Sequence, residues 1–336
     1  MILVTGGTGF VGAHLLLELL KNNQKVKAIK RNNSNLNLVK RIFSYYKEDV
    51  ETLLSQIEWV DGDVLDVLSL QEAMENVEKV YHCAAVVSFS PKDRDNLFKT
   101  NIKGTANVVN TALQTRIKKL CFVSSIAAIG RSESNELTSE STEWKSSKRN
   151  STYAISKYEA EKEVWRGIEE GLNAVIVNPS VILGPGDWNN GSAKIFDTLK
   201  NGTKFYTEGV NGFVDVRDVA SVMYQLMESE IVNERFIVSS ENLSYRELFT
   251  LILNEYGIKP PTIKALGILL EAAWRFEKLR GGLLKTRPLI TKETVNTAQN
   301  QYFYSTEKLQ NAIDFKFTPV KEIIQLTAAL YKKEKR

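Results

Sequence analysis

The chain of 336 residues carries 44 Lys and Arg against 40 Asp and Glu, which gives a net charge of +4. This length allows one large domain or two modest ones, at about 100–200 residues per domain. The basic residues are spread along the chain, except for a short tail at Lys332, Lys333, Lys335 and Arg336. So small and diffuse a charge argues against nucleic-acid binding.

Composition also argues against a membrane span and a disulfide framework. The apolar stretch 265–274 contains Glu271 and is too short to cross a bilayer. Cys83 and Cys121 both lie in apolar, strand-like runs, so we expect buried thiols. A core strand pattern begins at the first residues with no secretory signal before it, and we therefore expect a cytoplasmic protein. We predict no metal site.

The first twelve residues predict a phosphate-binding turn. Ile2–Val4 is a short apolar run typical of a buried parallel strand, and glycines follow at Gly6, Gly7, Gly9 and Gly12. A helical pattern comes next, and strand, glycine turn and helix in this order are typical of a dinucleotide site. The helix N-terminus offers free N–H groups to a pyrophosphate, and glycine lets the backbone approach it closely. A tight turn without a ligand is the alternative.

Strands and helices alternate through the first two thirds of the chain. Further strands are predicted at 26–29, 57–60, within 77–87, and at 120–124, 174–177 and 235–238. Helices are predicted at 68–74, 95–115, 152–170 and 216–227, and a polar loop extends from the second strand to about Ser44. This alternation predicts an α/β fold with a doubly wound parallel sheet and right-handed crossovers.

Domain organisation follows from where the alternation weakens. We predict a dinucleotide-binding Rossmann domain over 1–178, with 213–239 packing back onto it. Residues 179–212 and 240–336 would form a smaller, mainly helical substrate-binding cap. The apolar residues of the cap suggest a bulky, apolar substrate, although such a stripe is more often core. These residues are Leu266, Ile268, Leu269, Leu270, Trp274 and Phe276.

The end of the second strand is cationic. An NAD site usually places Asp or Glu here, to bind the ribose 2′-hydroxyl, but this chain has Lys30 and Arg31. A guanidinium can hold a 2′-phosphate through two hydrogen bonds. We therefore predict NADP(H) in preference to NAD(H), with Arg31 as the main contact and Lys30 as a secondary one. Two solvated cations are the alternative.

Tyr153 and Lys157 lie four residues apart, so on a helix their side chains share one face. A free phenol has a pKa near 10 and is a poor acid or base at neutral pH. A neighbouring ammonium favours the phenolate, so we expect Lys157 to lower the pKa of Tyr153 and make it a general acid and base. An ordinary surface pair at this spacing is the alternative.

The motifs taken together resemble the extended short-chain dehydrogenase/reductase family of the NAD-dependent epimerase/dehydratase superfamily. Within it, the chain looks most similar to the branch of dihydroflavonol reductases and 3β-hydroxysteroid dehydrogenases. The resemblance covers nearly the whole chain. The matching segments are 5–12, 62–63, 82–85, 101–105, 123–125, 153–157, 178–187 and 213–220.

The resemblance implies roles for four residues of a catalytic group. Tyr153 would exchange a proton with the substrate oxygen, and Ser125 would hydrogen-bond both that oxygen and Tyr153. Ser124 remains the alternative serine. Lys157 would also bind the nicotinamide ribose. Asn101 would hold a structural water or the adjacent helix near Lys157, and a purely local hydrogen bond is its alternative.

The resemblance also implies a set of cofactor-binding residues. Asp63 would accept the adenine amino group with Val64 packed beside it, unless Asp63 is only a turn residue. Ala84 and Ala85 would let the backbone pass close to the cofactor. Pro179 would lie against the nicotinamide, with Ser180 near its carboxamide. The whole set is Gly6, Thr8, Gly9, Phe10, Val11, Gly12, Lys30, Arg31, Asp63, Val64, Ala84, Ala85, Lys157, Pro179 and Ser180.

Three functions are compatible with these residues. The favoured one is an NADPH-dependent reductase that transfers hydride to a ketone or aldehyde of a bulky small molecule. The second is an NAD-dependent nucleotide-sugar epimerase or dehydratase, against which Lys30 and Arg31 argue. The third is a non-catalytic NADP-sensing protein, whose relatives usually lack the tyrosine. The family resemblance further suggests a homodimer through the helices at 95–115 and 152–170.

Overall fold

The structure is a computed structural model that describes residues 1–47, 49–130, 136–147, 150–267, 271, 274–275, 295 and 298–335. The strands are β1 Ile2–Thr5, β2 Val26–Lys30, β3 Ile57–Asp61, β4 Lys79–His82, β5 Lys119–Val123, β6 Leu137–Thr138, β7 Ala174–Pro179, β8 Val181–Leu183, β9 Phe205–Tyr206, β10 Val210–Asp215, β11 Glu234–Val238, β12 Glu241–Ser244, β13 Ile263–Lys264 and β14 Phe303–Tyr304. The helices are α1 Phe10–Lys21, α2 Asn37–Tyr46, α3 Val50–Ser55, α4 Val67–Ala73, α5 Arg94–Leu97, α6 Gly104–Gln114, α7 Thr152–Glu169, α8 Lys194–Leu199, α9 Val216–Glu228, α10 Tyr245–Glu255, α11 Glu307–Ile313 and α12 Val320–Glu334.

Seven parallel strands form the main sheet, in the order β11-β7-β5-β4-β1-β2-β3. Ile2 of β1 pairs with Val26 on one side and with Lys79 of β4 on the other. The connections run outward in opposite directions from β1 and β4, so the crossovers leave a crevice at the carboxyl ends of these two strands. The doubly wound parallel sheet is confirmed.

Side chains alternate between the two faces of the main sheet. Ile2 and Val4 belong to an apolar core shared with α1, α2 and α9. Leu3, between them, belongs to a second core shared with α4, α6 and α7. Because both faces are covered, the central strands are largely apolar, which made them easy to predict from sequence.

A second, smaller sheet lies beyond β7. In it β10 pairs in parallel with β8 and antiparallel with β12. The prediction of a mainly helical cap overlooked these strands, because they are short and β12 (Glu-Asn-Leu-Ser) is largely polar. A third apolar core, which includes Trp188 and Phe196, joins β8 and β10 to α8, α10 and α12.

One helix occupies much of a region predicted to be a polar loop. The prediction of a loop to about Ser44 is wrong, because α2 covers 37–46 and α3 follows it. Val39, Ile42 and Phe43 are fully buried on one face of α2. Their spacing of three and four residues is a helical signal, but the asparagine-rich segment before it obscured the signal.

The predicted apolar stripe of the cap falls partly outside the described residues, which include neither 268–270 nor 276. Leu266, which is described, is 61% exposed. Cys83 and Cys121 are free thiols, and Cys121 is buried. Within the described ranges, no helix is both long and apolar enough to span a membrane.

Candidate active site

The glycine turn after β1 folds in a way that only glycine permits. Gly6 has φ +71°, and its carbonyl accepts the N–H of Gly9 at 2.9 Å. A Cβ on Gly12 would lie 2.2 Å from the same carbonyl oxygen. α1 begins directly after Gly9, with no side-chain cap and no acidic residue in its first turn among the residues described. Its first N–H groups are therefore available to an anion.

The loop after β4 lies against this turn. A Cβ on Gly6 would meet the backbone nitrogen of Ala84 at 2.6 Å. That nitrogen donates to the Thr5 hydroxyl at 3.3 Å, and Thr5 also bonds His82 Nδ1 at 2.7 Å. The small residues Ala84 and Ala85 thus lie at the crevice between β1 and β4, where ligands bind in sheets of this kind.

The two cations after β2 differ in their surroundings. Lys30 pairs with Asp61, its register partner on β3. Arg31 is exposed, and no ion-pair partner for it exists in the described part of the chain. Arg31 is therefore the cation that is free to meet a ligand, whereas Lys30 is already neutralised.

Asp63 and Val64 follow β3. The Asp63 carboxylate accepts the N–H of Leu65 at 2.9 Å, the contact expected of a turn aspartate. Val64 is buried against Gly104 at the start of α6, where a Cβ would lie 2.8 Å from its side chain. The predicted contact of Asp63 with adenine stays a prediction.

Tyr153 lies near the start of α7, and the edge of its ring meets the ring of Phe89, 5.6 Å away between centroids. The expected lowering of its pKa by Lys157 is not found. Burial raises the pKa of Tyr153, and a side-chain hydrogen bond with Ser125 opposes that rise. The reason is geometric, because the Lys157 ammonium is bonded elsewhere.

Lys157 is almost fully buried, one helical turn after Tyr153. Its Nζ donates to the carbonyl oxygen of Val123 at 2.7 Å and lies 4.6 Å from the centre of the Phe122 ring. Burial lowers the pKa of Lys157 to about 8. The ammonium is therefore held at the carboxyl end of β5.

The structure separates the two candidate serines. Ser124 is buried, and its hydroxyl donates to Glu161 at 2.6 Å. Ser125, the next residue, accepts the N–H of Ala127 at 3.1 Å and interacts with Tyr153. Ser125 is thus the serine adjacent to Tyr153, although its catalytic role stays a prediction.

Asn101 joins two elements of the site. It lies in a π-helical segment, Phe98–Lys103, that links α5 to α6 within the helix predicted at 95–115. Its amide accepts the N–H of Val86 at 2.7 Å and donates to the carbonyl of Val86 at 3.0 Å. It also donates to Ser156 of α7 at 3.0 Å. Asn101 therefore ties the loop after β4 to α7, and π-segments often occur at functional sites.

Pro179 and Ser180 end β7 at the same edge of the main sheet. The Ser180 N–H donates to Val238 at 3.0 Å. The Ser180 hydroxyl is buried without a hydrogen-bond partner among the described residues. Burying a polar group without a hydrogen-bond partner costs free energy, and the carboxamide of a nicotinamide cofactor is a suitable partner for this hydroxyl. This hydroxyl, the glycine turn and Arg31 fit a dinucleotide.

The comparisons with known proteins agree with this fold. The NAD dependent epimerase/dehydratase family matches residues 2–238, and the chain belongs to that family. It is thus an NAD(P)-dependent oxidoreductase of the extended short-chain dehydrogenase/reductase type. The matched region ends at Val238, the last residue of the main sheet.

Three relatives illustrate the similarity. A putative dihydroflavonol 4-reductase of Synechocystis is 29% identical over 96% of this chain and 91% of that protein. Sterol demethylase protein B of Methylococcus capsulatus is 31% identical over 73% of this chain and 71% of that protein. The structure of UDP-glucose 4-epimerase from Thermotoga maritima superposes with a TM-score of 0.77, over 100% of this chain and 99% of that one. At 22% identity, the epimerase supports the fold alone.

Proposed function

We propose that the chain is an NADPH-dependent reductase that acts on a ketone or aldehyde of a bulky small molecule, as dihydroflavonol reductases do. The observation that carries the proposal is the guanidinium of Arg31, which has no ion-pair partner among the described residues and lies where an NAD site has a carboxylate. The similarity of the chain to a putative dihydroflavonol 4-reductase, over nearly the whole length of the chain, supports the reductase reaction.

The residues that would hold the dinucleotide surround the crevice. The first turn of α1 would bind the pyrophosphate, Arg31 the 2′-phosphate, and Lys157 the ribose of the nicotinamide. Ser180 would bind the carboxamide through its hydroxyl, which has no hydrogen-bond partner within the described part of the chain. When bound, the reduced nicotinamide supplies the hydride.

The remaining chemistry belongs to side chains of this protein. Ser125 would hydrogen-bond the substrate oxygen and keep it beside Tyr153, and Tyr153 would donate its proton to that oxygen. Because burial raises its pKa, free Tyr153 holds a proton at neutral pH and is ready to act as the acid. The positive charge of Lys157 would serve the ribose of the nicotinamide, since it does not lower the pKa of Tyr153.

Two exposed apolar side chains support a bulky, apolar substrate. Val87 is 63% exposed and Phe89 42% exposed, on the loop after β4. Phe89 contacts Tyr153 edge to face, so its ring lies beside the proposed proton donor. A flat, apolar group placed there would cover both side chains from water.

NADPH and NADH binding by fluorescence, on protein stripped of bound ligand, tests the proposal. We expect wild-type protein to prefer NADPH, and Arg31→Asp to weaken NADPH binding by about 10–100-fold while sparing NADH, since a charge-assisted contact contributes about 1.5–3 kcal/mol. Lys30→Ala is the matched control, with a smaller loss expected because Lys30 pairs with Asp61.

An unchanged preference in Arg31→Asp would refute the cofactor assignment. NAD that stays bound through purification would instead favour a nucleotide-sugar epimerase or dehydratase. The homodimer remains a prediction, and a monomeric mass at micromolar concentration would contradict it.

A further inference from the structure

A buried carboxylate lies directly behind the proposed catalytic group. Glu161 is on α7, one helical turn after Lys157 and two turns after Tyr153. Its side chain is only 3% exposed. Burying a carboxylate is costly unless it is paired and hydrogen-bonded, so the surroundings of this side chain must stabilise its charge.

Four donors surround the two carboxylate oxygens. One oxygen accepts Ser124 Oγ at 2.6 Å and Asn178 Nδ2 at 2.8 Å. The other accepts Arg235 Nη1 at 3.0 Å and Trp165 Nε1 at 3.3 Å. With four donors, the carboxylate is fixed in position.

Three of the four donors come from neighbouring strands of the main sheet or directly after one, and the fourth, Trp165, is on α7 itself. Ser124 directly follows β5, Asn178 is at the end of β7, and Arg235 is on β11. Asn178 also donates to the carbonyl of Ser125 at 3.0 Å. A single carboxylate therefore fastens these three parallel strands to the helix that carries Tyr153 and Lys157.

Glu161 also acts on Lys157 through its charge. Its negative charge raises the pKa of Lys157 and opposes the effect of burial. The other titratable groups near the ammonium are Tyr153 on the same helix, and His82 and Cys83 at the end of β4. Burial lowers the pKa of His82 to about 3 and raises that of Cys83 to about 12, so both are neutral at pH 7. Glu161 is then the negative charge that acts on Lys157 at neutral pH.

We propose that Glu161 is a positioning residue of the active site, which holds the strand ends that carry Ser125 and Pro179 against α7 and places a carboxylate one helical turn from Lys157. This inference rests on the proposed function, in which Lys157 must be a cation. The carboxylate touches neither substrate nor cofactor and acts through Lys157 and Ser125.

The charge of Lys157 can be followed directly. In protein labelled with ¹³C-lysine, the Cε signal of Lys157 is traced across pH by NMR, and Lys157→Met identifies that signal. In Glu161→Gln we expect the titration midpoint to fall by about one pH unit, because a nearby negative charge is lost. In Arg235→Gln we expect the midpoint to rise, because a positive charge is lost while Glu161 remains.

Ser124→Ala is the matched control, since it removes one donor without changing any charge, and its midpoint should equal that of the wild type. A purely structural Glu161 would lower stability in these variants without moving the midpoint. A midpoint within about 0.2 pH units of the wild type in folded Glu161→Gln would overturn the proposal. If Glu161→Gln does not fold, Arg235→Gln decides: a rise supports the proposal and an unchanged midpoint overturns it.

The titration requires neither cofactor nor substrate. Failure of the proposed function would be seen in NADPH binding and carbonyl reduction, whereas failure of this inference would be seen in the Lys157 signal. The two results are therefore separate.

Discussion

Lys157 makes the stability of the protein depend on pH in a predictable direction. Its pKa is about 8 in the folded protein and about 10.4 in an unfolded chain. Between these values the unfolded chain binds more protons, so stability rises with pH. Relative to Lys157→Met, which lacks this ionisation, the wild type should gain about 2–3 kcal/mol of unfolding free energy between pH 8 and 10.

Urea unfolding of both proteins at several pH values measures this difference. Groups common to the two proteins cancel in the comparison. Parallel curves for wild type and Lys157→Met would show that the ammonium does not lose its proton in this range.

Tyr153→Phe tests the proposed proton donor. Loss of the hydroxyl should lower the carbonyl-dependent oxidation of NADPH by about 10²–10⁴-fold, the usual contribution of a positioned acid. NADPH binding should persist, because none of the residues proposed to hold the dinucleotide is changed. Steady-state rates with a panel of aryl ketones and aldehydes measure the loss of activity. Fluorescence titration measures NADPH binding.

Tyr158→Phe is the matched control for that experiment. Tyr158 is on the same helix and stacks on Trp144 at 4.3 Å, away from Ser125. Its hydroxyl has no proposed role, so the rate should match the wild type. Full activity in Tyr153→Phe would remove the proton-transfer assignment, whereas no carbonyl reduction by the wild type itself would favour a non-catalytic, NADP-sensing protein.

At the scale of the elements, two substitutions in the turn between β1 and α1 should separate an effect on NADPH binding from an effect on stability. A Cβ at Gly9 would lie 3.2 Å from the Gly6 carbonyl, whereas one at Gly12 would lie 2.2 Å from it. We expect Gly9→Ala to cost under about 1 kcal/mol of stability but to weaken NADPH binding at least about tenfold. Gly12→Ala should cost about 2–4 kcal/mol, because the turn itself must move.

Urea unfolding and NADPH titration of both variants measure these effects. Wild-type affinity in Gly9→Ala would contradict the placement of the pyrophosphate at this turn. Equal stability of the two variants would contradict the close packing of α1 on the Gly6 carbonyl.

The main sheet could be predicted from sequence because its central strands are buried on both faces and largely apolar. The second sheet could not, because β10 contains Asn211 and Gly212, and β12 is mostly polar. Such strands are held by their neighbours rather than by their own composition. The same applies to the π-helical turn at Asn101, which is defined by its bonds to Val86 and Ser156.

The candidate site was only partly visible in the sequence. Tyr153, Lys157 and the glycine turn follow fixed spacings and could be found, and the structure places them at one edge of the main sheet. Glu161 was missed, although its position four residues after Lys157 puts it on the same helical face. Its hydrogen-bond partners Ser124 and Arg235 are far from it in the sequence, so sequence spacing does not reveal them. The Lys30–Asp61 pair was missed for the same reason.

At the scale of the whole molecule, one carboxylate connects α12 to the dinucleotide-binding half. Glu334 accepts the Tyr45 hydroxyl of α2, and it accepts Trp188 Nε1 at 2.8 Å. Trp188 is 1% exposed. Glu334→Ala should lower stability by about 1–3 kcal/mol, because it leaves a buried indole N–H without a partner.

Thermal or urea unfolding measures this loss. Glu322→Ala is the control on the same helix, since Glu322 is exposed, and it should change stability by less than about 0.5 kcal/mol. Equal stability of the two variants would mean that Glu334 contributes nothing to holding α12.

The link between Tyr45 and Glu334 spans 289 positions of the chain, and this has a consequence for biosynthesis. The main sheet is complete once Val238 has been made, but α12 follows only roughly one hundred residues later. At about 5–20 residues per second, the ribosome needs roughly 5–20 s to make that segment. During that delay Trp188 and Phe196 lack the helix that covers them. The third apolar core, which contains Trp188 and Phe196, is therefore exposed in the nascent chain until α12 has been made, and a chaperone would need to shield it.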